Sequence, residues 1–300
     1  MVTQQFSPEF HRIVSEQASI QLIAGGFIFT EGPVWNGQTG SLDWTDIIGD
    51  TIWKWVPGEG KRVVMTPTIH ANGMTYDREG RLIVAGWSSR TVWRMEHDGS
   101  TTTLCSHYDG KKLNTPNDIV VKSDGAIYFT DPSGGLNLVG HQGHDLQKQI
   151  EFEGVYRFDP ADSSLTLLED NMVGPNGLCF SPDESLLYVN DSRERYIRVY
   201  DVNPDGTVSN GRTFIELSGV DLGNPDGMKV DVEGNVYCTG PGGVWIMDPT
   251  GKPLGRIGIP EQCANFAWGG ADWSTLYFTA RTSVYGMKLN VPGVPVFPTT

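Results

Sequence analysis

The amino-acid sequence predicts an all-β protein, a six-bladed β-propeller with a metal-binding central channel. Three observations support this prediction. One short phrase recurs six times, its copies lie 39 to 59 residues apart, and short strand-forming runs alternate with turn residues along the chain. Repeats of this length built from short strands are typical of propeller blades.

Each copy of the phrase carries an amide or a carboxylate at the same place. The copies begin at Phe29, His70, Asn114, Val173, Gly223 and Gln262. Equivalent residues of all blades face one axis in a propeller, so we expect the aligned side chains to converge there. We call these six residues the ligand ring: Glu31, Asn72, Asn117, Asn176, Asp226 and Asn265.

Strand-forming segments fill the rest of each repeat. Turn residues followed by β-branched and aromatic residues, as in SDGAIYFTD and VEGNVYCTG, are typical of hairpins. The stretches 20–23 and 283–289 are expected to pair within one blade and close the ring. An insertion at 132–151, which contains His141 and His144, is expected to shape one face of the propeller.

The repeats leave room for one folded unit. We divide the chain into an N-terminal arm at 1–18, with one helical turn around 8–15, a propeller at 19–290 and a C-terminal tail at 291–300. This division predicts a single domain, as a monomer or a small homo-oligomer.

Composition and patterning exclude several classes of function. The formal net charge of −14 argues against a nucleic-acid partner, whose phosphates require basic surface. No apolar run is long enough to span a membrane, and no secretory signal pattern is present. The four cysteines form no CxxC pair or ligand cluster, which favours free thiols and a cytoplasmic location.

The two acids of the ligand ring indicate a cation. Glu31 and Asp226 would repel each other strongly in a protein interior unless a cation lay between them. Ligands that are all oxygen atoms favour calcium, magnesium or manganese over zinc. The alternative interpretation is that the Asn-Gly and Asp-Gly pairs are turn formers that mark only the start of each blade.

Five phrases carry a family resemblance. TEGPVW, LNTPNDIVVKSDGAIYFTDPS, GPNGLCFSPDESLLYVND, NPDGMKVDVEGNVYCTG and ANFAWGGADWSTLYFTAR are similar to motifs of the regucalcin/gluconolactonase (senescence marker protein) family, in its bacterial sugar-lactonase branch. The resemblance covers about 20–290. It implies a six-bladed propeller with one divalent cation, calcium first, with magnesium, manganese, zinc and iron(II) as alternatives.

The resemblance also implies roles for individual residues. Glu31, Asn176, Asp226 and Asn117 are the implied metal ligands, Asp226 is the implied catalytic base, and Asn117 is also expected to touch the substrate. The chain departs from the family at 85–88 and 131–135, which flank the expected pocket. We also expect Asn72, Trp87 and His70 to contact the substrate; the alternatives are blade packing for Trp87 and a hydrogen-bonded core position for His70.

The predicted reaction is hydrolysis of a sugar lactone to the corresponding aldonic acid. A metal would polarise the carbonyl and a carboxylate would activate water. The sequence contains neither a G-x-S-x-G nucleophile motif nor H-E-x-x-H, so covalent catalysis is not expected. The alternatives are a phosphotriesterase-like hydrolase on the same site and a non-catalytic calcium-binding propeller.

Overall fold

The computed structural model describes residues 3–137 and 146–296, and its strands form six antiparallel sheets of the propeller. The prediction of an all-β, six-bladed propeller is confirmed. Each blade has four strands, and the innermost strand of every blade is the one that carries or directly follows a ligand-ring residue.

The elements follow in chain order. The N-terminal arm contains β1 (Gln4–Gln5) and helix α1 (Phe10–Ile13), and β2 (Gln21–Gly25) follows. Blade 1 contains β3 (Thr30–Asn36), β4 (Ser41–Asp46), β5 (Thr51–Val56) and β6 (Gly60–Met65). Blade 2 contains β7 (Met74–Tyr76), β8 (Leu82–Gly86), β9 (Thr91–Met95) and β10 (Thr101–Cys105). A small hairpin of β11 (His107–Tyr108) and β12 (Lys111–Lys112) leads to blade 3.

Blade 3 contains β13 (Ile119–Val121), β14 (Ile127–Asp131), β15 (Glu153–Asp159) and β16 (Ser164–Met172), with a short 3-10 helix at Gly134–Asn137. Blade 4 contains β17 (Pro175–Phe180), β18 (Leu186–Asp191), β19 (Tyr196–Val202) and β20 (Val208–Glu216). Blade 5 contains β21 (Met228–Val230), β22 (Val236–Gly240), β23 (Gly243–Met247) and β24 (Pro253–Ile257). Blade 6 contains β25 (Cys263–Gly269), β26 (Thr275–Ala280) and β27 (Ser283–Lys288), together with β2.

The two ends of the chain close the ring. Strand β2 pairs antiparallel with β27, with Gln21 opposite Gly286 and Gly25 opposite Ser283, as predicted. This pairing removes the free edges that an open ring of blades would expose. The arm adds a further strand, because β1 pairs with β24 on the outside of blade 5.

Buried apolar side chains between neighbouring blades form the core. Where blades 1 and 6 meet, Trp35 stacks on Tyr277 with ring centroids 5.4 Å apart. Helix α1 buries Phe10 and Ile13 against the same cluster. Burying one such side chain contributes roughly 1.5–3 kcal/mol relative to leaving it exposed.

The four cysteines are free thiols. Among the described residues, no helix is both long enough and apolar enough to cross a membrane.

Candidate functional site

The ligand-ring residues lie at the start of the six inner strands, at one end of the central channel. Glu31, Asn176 and Asn265 fall in the first residues of β3, β17 and β25. Asn72, Asn117 and Asp226 lie two residues before β7, β13 and β21.

Direct contacts join four members of the ring. The Asn265 amide donates from Nδ2 to Glu31 Oε2 at 3.0 Å, and the Gly32 N–H donates to the same oxygen at 2.6 Å. Asp226 lies within hydrogen-bonding reach of both Asn176 and Glu31. Residues from blades 6, 1, 5 and 4 therefore meet at one place, although up to 234 positions separate them in the chain.

The two acids are held close together in a buried setting. Desolvation raises the pKa of Asp226 well above its usual range, and the nearby charges of Glu31 and Asp118 raise it further. Desolvation also raises the pKa of Glu31, while the hydrogen bonds from Gly32 and Asn265 lower it. Two carboxyls in this setting cannot both ionise readily unless positive charge comes between them.

The polar atoms around this pair fit a hard cation. Within the described residues, Asn176 Oδ1 and Asn72 Oδ1 are buried without a hydrogen-bond partner. A buried amide oxygen without a partner is costly, and carboxylate and amide oxygens are the donors that calcium and magnesium take. In the same residues no group of three or more His, Cys, Asp or Glu could hold a metal. A cation here would therefore depend on amide oxygens beside the two acids.

Asn117 occupies the equivalent place in blade 3. Its carbonyl accepts a hydrogen bond from Gly73 N–H at 2.8 Å, and its N–H donates to the carbonyl of Thr130 at 2.8 Å. These backbone bonds fix its position beside blade 2. Its assignment as a ligand and substrate contact stays a prediction.

The glycines that follow the ligand ring serve close packing between blades. A Cβ on Gly73 would lie 2.5 Å from the Asn117 carbonyl oxygen, and one on Gly177 would lie 2.0 Å from the Asp226 carbonyl oxygen. A Cβ on Gly227 would lie 2.1 Å from Asn265 Oδ1. The turn interpretation is wrong for these three, because Gly177 lies within β17, Gly73 and Gly227 lie outside any turn, and none has a positive φ. Glycine is required at these positions because the backbone or a side chain of the next blade lies where a Cβ would be.

Acids at the ends of the second strands hold the segments that lead into the site. Asp46 accepts hydrogen bonds from the backbone N–H groups of Ile28 and Phe29 at 3.0 and 2.9 Å. Asp191 accepts from those of Val173 and Gly174 at 2.8 and 3.0 Å. Each carboxylate thus fixes the chain just before a ligand-ring residue, namely Glu31 in blade 1 and Asn176 in blade 4.

His70 and Trp87 are both buried. His70 Nδ1 lies 2.7 Å from the carbonyl oxygen of Ile47, so this nitrogen carries the proton and donates. The backbone of His70 has φ +54°, and Asp50 Oδ1 accepts its N–H at 2.7 Å. The Trp87 indole packs against Gly135, where an added Cβ would lie 2.2 Å from Nε1. Trp87 therefore contacts the insertion, whereas His141 and His144 lie outside the described residues.

Sequence reasoning missed Asp118. This residue is 2% exposed, and its Oδ1 accepts the backbone N–H of Ile119 at 2.9 Å. Its Oδ2 lies 3.7 Å from Lys229 Nζ and has no hydrogen bond within the described part of the chain. Four blades have glycine at this place, so an acid there was a signal available in the sequence.

The chain is similar to proteins of one known family over most of its length. The family model described as SMP-30/Gluconolactonase/LRE-like region matches residues 29–282. The chain is 31% identical to a gluconolactonase of Zymomonas mobilis, over 96% of this chain and 86% of that protein. It is 29% identical to regucalcin of Xenopus laevis, over 83% of this chain and 82% of that protein.

Two further similarities concern a named lactonase and a solved structure. The chain is 27% identical to a pentonolactonase of Haloferax volcanii, over 83% of this chain and 80% of that protein. The structure of a gluconolactonase from Xanthomonas campestris superimposes with a TM-score of 0.88 at 31% identity, over 96% of this chain and 94% of that one.

Proposed function

The chain belongs to the SMP-30/gluconolactonase/LRE-like family, and we propose that it is a lactonase that uses one divalent cation to hydrolyse a sugar lactone to the corresponding aldonic acid. The names of its relatives support the reaction class, because they include a gluconolactonase and a pentonolactonase. The alternative is a non-catalytic calcium-binding propeller, which would bind calcium but open no lactone.

The observation that carries the proposal is the position of Asp226. It lies within hydrogen-bonding reach of Glu31 and Asn176, in a buried site whose amide oxygens lack partners. Such a site has donors for a hard cation and a carboxylate adjacent to them. Glu31, Asn176, Asp226 and Asn117 would hold the cation, with calcium first and magnesium, manganese, zinc and iron(II) as alternatives. A bound cation would supply a Lewis acid for the lactone carbonyl.

Asp226 is the proposed base. Its carboxylate takes a proton from water, and the water oxygen forms a bond to the carbonyl carbon as the ring C–O bond breaks. The ring oxygen leaves as a hydroxyl after gaining a proton, so one water is consumed and one hydroxy acid is formed. Burial raises the pKa of Asp226, and positive charge beside this carboxyl would lower its pKa and keep the base ionised.

The remaining polar groups would bind the substrate. Asn72 Oδ1 is a buried acceptor without a partner in the described residues, which suits a sugar hydroxyl. His70 donates from Nδ1 to the Ile47 carbonyl, so its Nε2 is the ring nitrogen left for a sugar hydroxyl. Asn117 and Trp87 complete the proposed contacts. An aldonolactone has several hydroxyls for such groups, whereas an apolar ester would leave them unpaired.

The test is acid release from a panel of aldonolactones of five- and six-membered rings. The purified protein is stripped with a chelator and assayed with calcium, magnesium, manganese, zinc or iron(II) restored one at a time. We expect at least one aldonolactone to be opened, with the rate lost on stripping and regained with a cation. Tight calcium binding without turnover of any lactone would contradict the proposal and favour the non-catalytic alternative.

A further inference from the structure

Two more sets of residues, which we call the second and third rings, follow the ligand ring along the inner strands. The second ring, one residue after the ligand ring, consists of Gly32, Gly73, Asp118, Gly177, Gly227 and Phe266. The third ring, three residues after the ligand ring, consists of Val34, Thr75, Val120, Cys179, Lys229 and Trp268. All six residues of the third ring line one cavity of about 130 Å³.

Each of these rings contains one charged residue, and the two charges face each other. Asp118 is the acid of the second ring and Lys229 is the base of the third. Lys229 Nζ lies 3.7 Å from Asp118 Oδ2, 3.4 Å from Asn265 Oδ1 and 3.0 Å from the Met228 carbonyl oxygen. The ammonium also lies 6.0 Å from the centre of the Phe266 ring.

The ammonium therefore sits between the two blades that lack a second-ring glycine. Asp118 belongs to blade 3 and Phe266 to blade 6, while Lys229 comes from blade 5. The cavity below it is lined mostly by apolar side chains, including Val230 and Val294, although Arg78 and Glu184 also line it. With apolar groups below and polar groups above, the lysine head turns toward the ligand ring, because an unpaired ammonium in the cavity would be costly.

The pair is coupled to the ligand ring in two ways. Asn265 links them by hydrogen bonds, since it accepts from Lys229 and donates to Glu31. Charge links them as well: Asp118 acts on both Glu31 and Asp226, and Lys229 acts on Glu31. Water does not screen these interactions well in a buried channel, so they are stronger than at a surface.

We propose that Asp118 and Lys229 are a positioning pair that sets how tightly the ligand ring holds its divalent cation. The inference rests on the proposed function. When a cation keeps Glu31 and Asp226 both ionised, these two acids and Asp118 together with Lys229 have a formal net charge of −2, which a divalent cation neutralises. Asp118→Asn would leave Lys229 facing the cation with one carboxylate fewer, whereas Asp118→Asn with Lys229→Met would return the net charge to −2.

The test measures calcium affinity by calorimetry on chelator-stripped protein at low ionic strength. Asp118→Asn should weaken binding by about tenfold or more, because a buried charge near the cation is removed. Adding Lys229→Met should bring the affinity back to within about threefold of the wild type, whereas adding Lys229→Arg, the matched control, should not. Lys229→Met alone should bind calcium at least as tightly as the wild type.

A merely structural role would not produce this reversal, because the double variant disturbs packing more than either single change. Equal affinities for Asp118→Asn and its Lys229→Met double variant would overturn the inference, as would weaker binding by Lys229→Met alone. Lys229→Met alone keeps Asp118, so its calcium affinity still tests the inference if Asp118→Asn fails to fold. A wild-type protein that binds none of the five cations would instead refute the proposed function.

Discussion

Asn265 donates a hydrogen bond from its Nδ2 to Glu31 Oε2 at 3.0 Å across the junction of blades 6 and 1. Strand β2, which precedes Glu31 in the chain, lies at the outer edge of blade 6, so the same junction is where the ring closes. Closure of the fold and placement of a ligand-ring carboxylate are therefore linked at this contact.

Asn265→Leu tests this link. The substitution keeps the shape of the side chain but removes the donor to Glu31 and the acceptor for Lys229. A hydrogen bond to a charged group contributes roughly 1.5–3 kcal/mol, so calcium affinity should fall by about ten- to a hundredfold. Calorimetric titration of stripped protein measures this. An unchanged affinity would mean that Asn265 does not position Glu31.

Asp226→Asn should remove the base while preserving the fold. General base catalysis contributes about 10²–10⁴-fold, so kcat should fall by at least about a hundredfold. The midpoint of thermal unfolding without metal should not fall, because the change relieves a buried carboxyl whose pKa is raised beside Glu31. Acid release and a thermal melt check the two parts. Full activity in this variant would reject Asp226 as the base.

The sequence predicted the features that recur in every repeat, but not the contacts that form between blades. The ligand ring was visible because six phrases align, and the pairing of β2 with β27 followed from the need to close the ring. The glycines after the ligand ring were also visible, but their role was not. Their neighbours belong to the next blade, and the distances that exclude a Cβ appear only in three dimensions.

The contact between Asp118 and Lys229 escaped prediction for a related reason. The two residues come from different repeats and different ring levels, so no spacing in the chain relates them. Their contact depends on how blades 3 and 5 face each other across the channel. The aligned repeats show an acid at Asp118 where four blades have glycine, but they do not show which basic residue pairs with it.

Asp131 should make stability depend on pH. Its pKa is raised to about 8, chiefly by burial and in part by the charge of Glu153, although the hydrogen bond from Asn114 lowers it. An unfolded Asp has a pKa near about 3.9, so the folded protein holds a proton that the unfolded chain releases. This contribution to the free energy of unfolding is full below about pH 4 and is lost as pH rises toward 8.

Asp131→Asn cannot ionise and should lose less stability over that range than the wild type. Between about pH 5 and about pH 8 we expect the difference between the two proteins to change by on the order of 4 kcal/mol in favour of the variant. Urea unfolding at both pH values measures it. Parallel curves for the two proteins would show that Asp131 is ionised in the folded state.

Trp87→Phe should change which lactones are preferred. The indole packs against Gly135 at the start of the insertion, so a smaller ring would let that segment shift. We expect the ratios of kcat/KM across the lactone panel to change while calcium affinity stays the same. Trp93→Phe, another buried tryptophan of blade 2, is the matched control and should leave the ratios unchanged. Loss of calcium binding with unchanged ratios would place Trp87 at the cation.

The most direct measurement adds calcium back to chelator-stripped enzyme in small steps and records the rate of lactone opening at each step. The stripped protein should be inactive, and the rate should rise linearly and then level off at one calcium per chain. Glu31→Gln should show no such rise at the same concentrations, since it lacks one of the two ligand-ring carboxylates. A full rate before any calcium is added, or an equal rise in Glu31→Gln, would contradict a cation held by this ring.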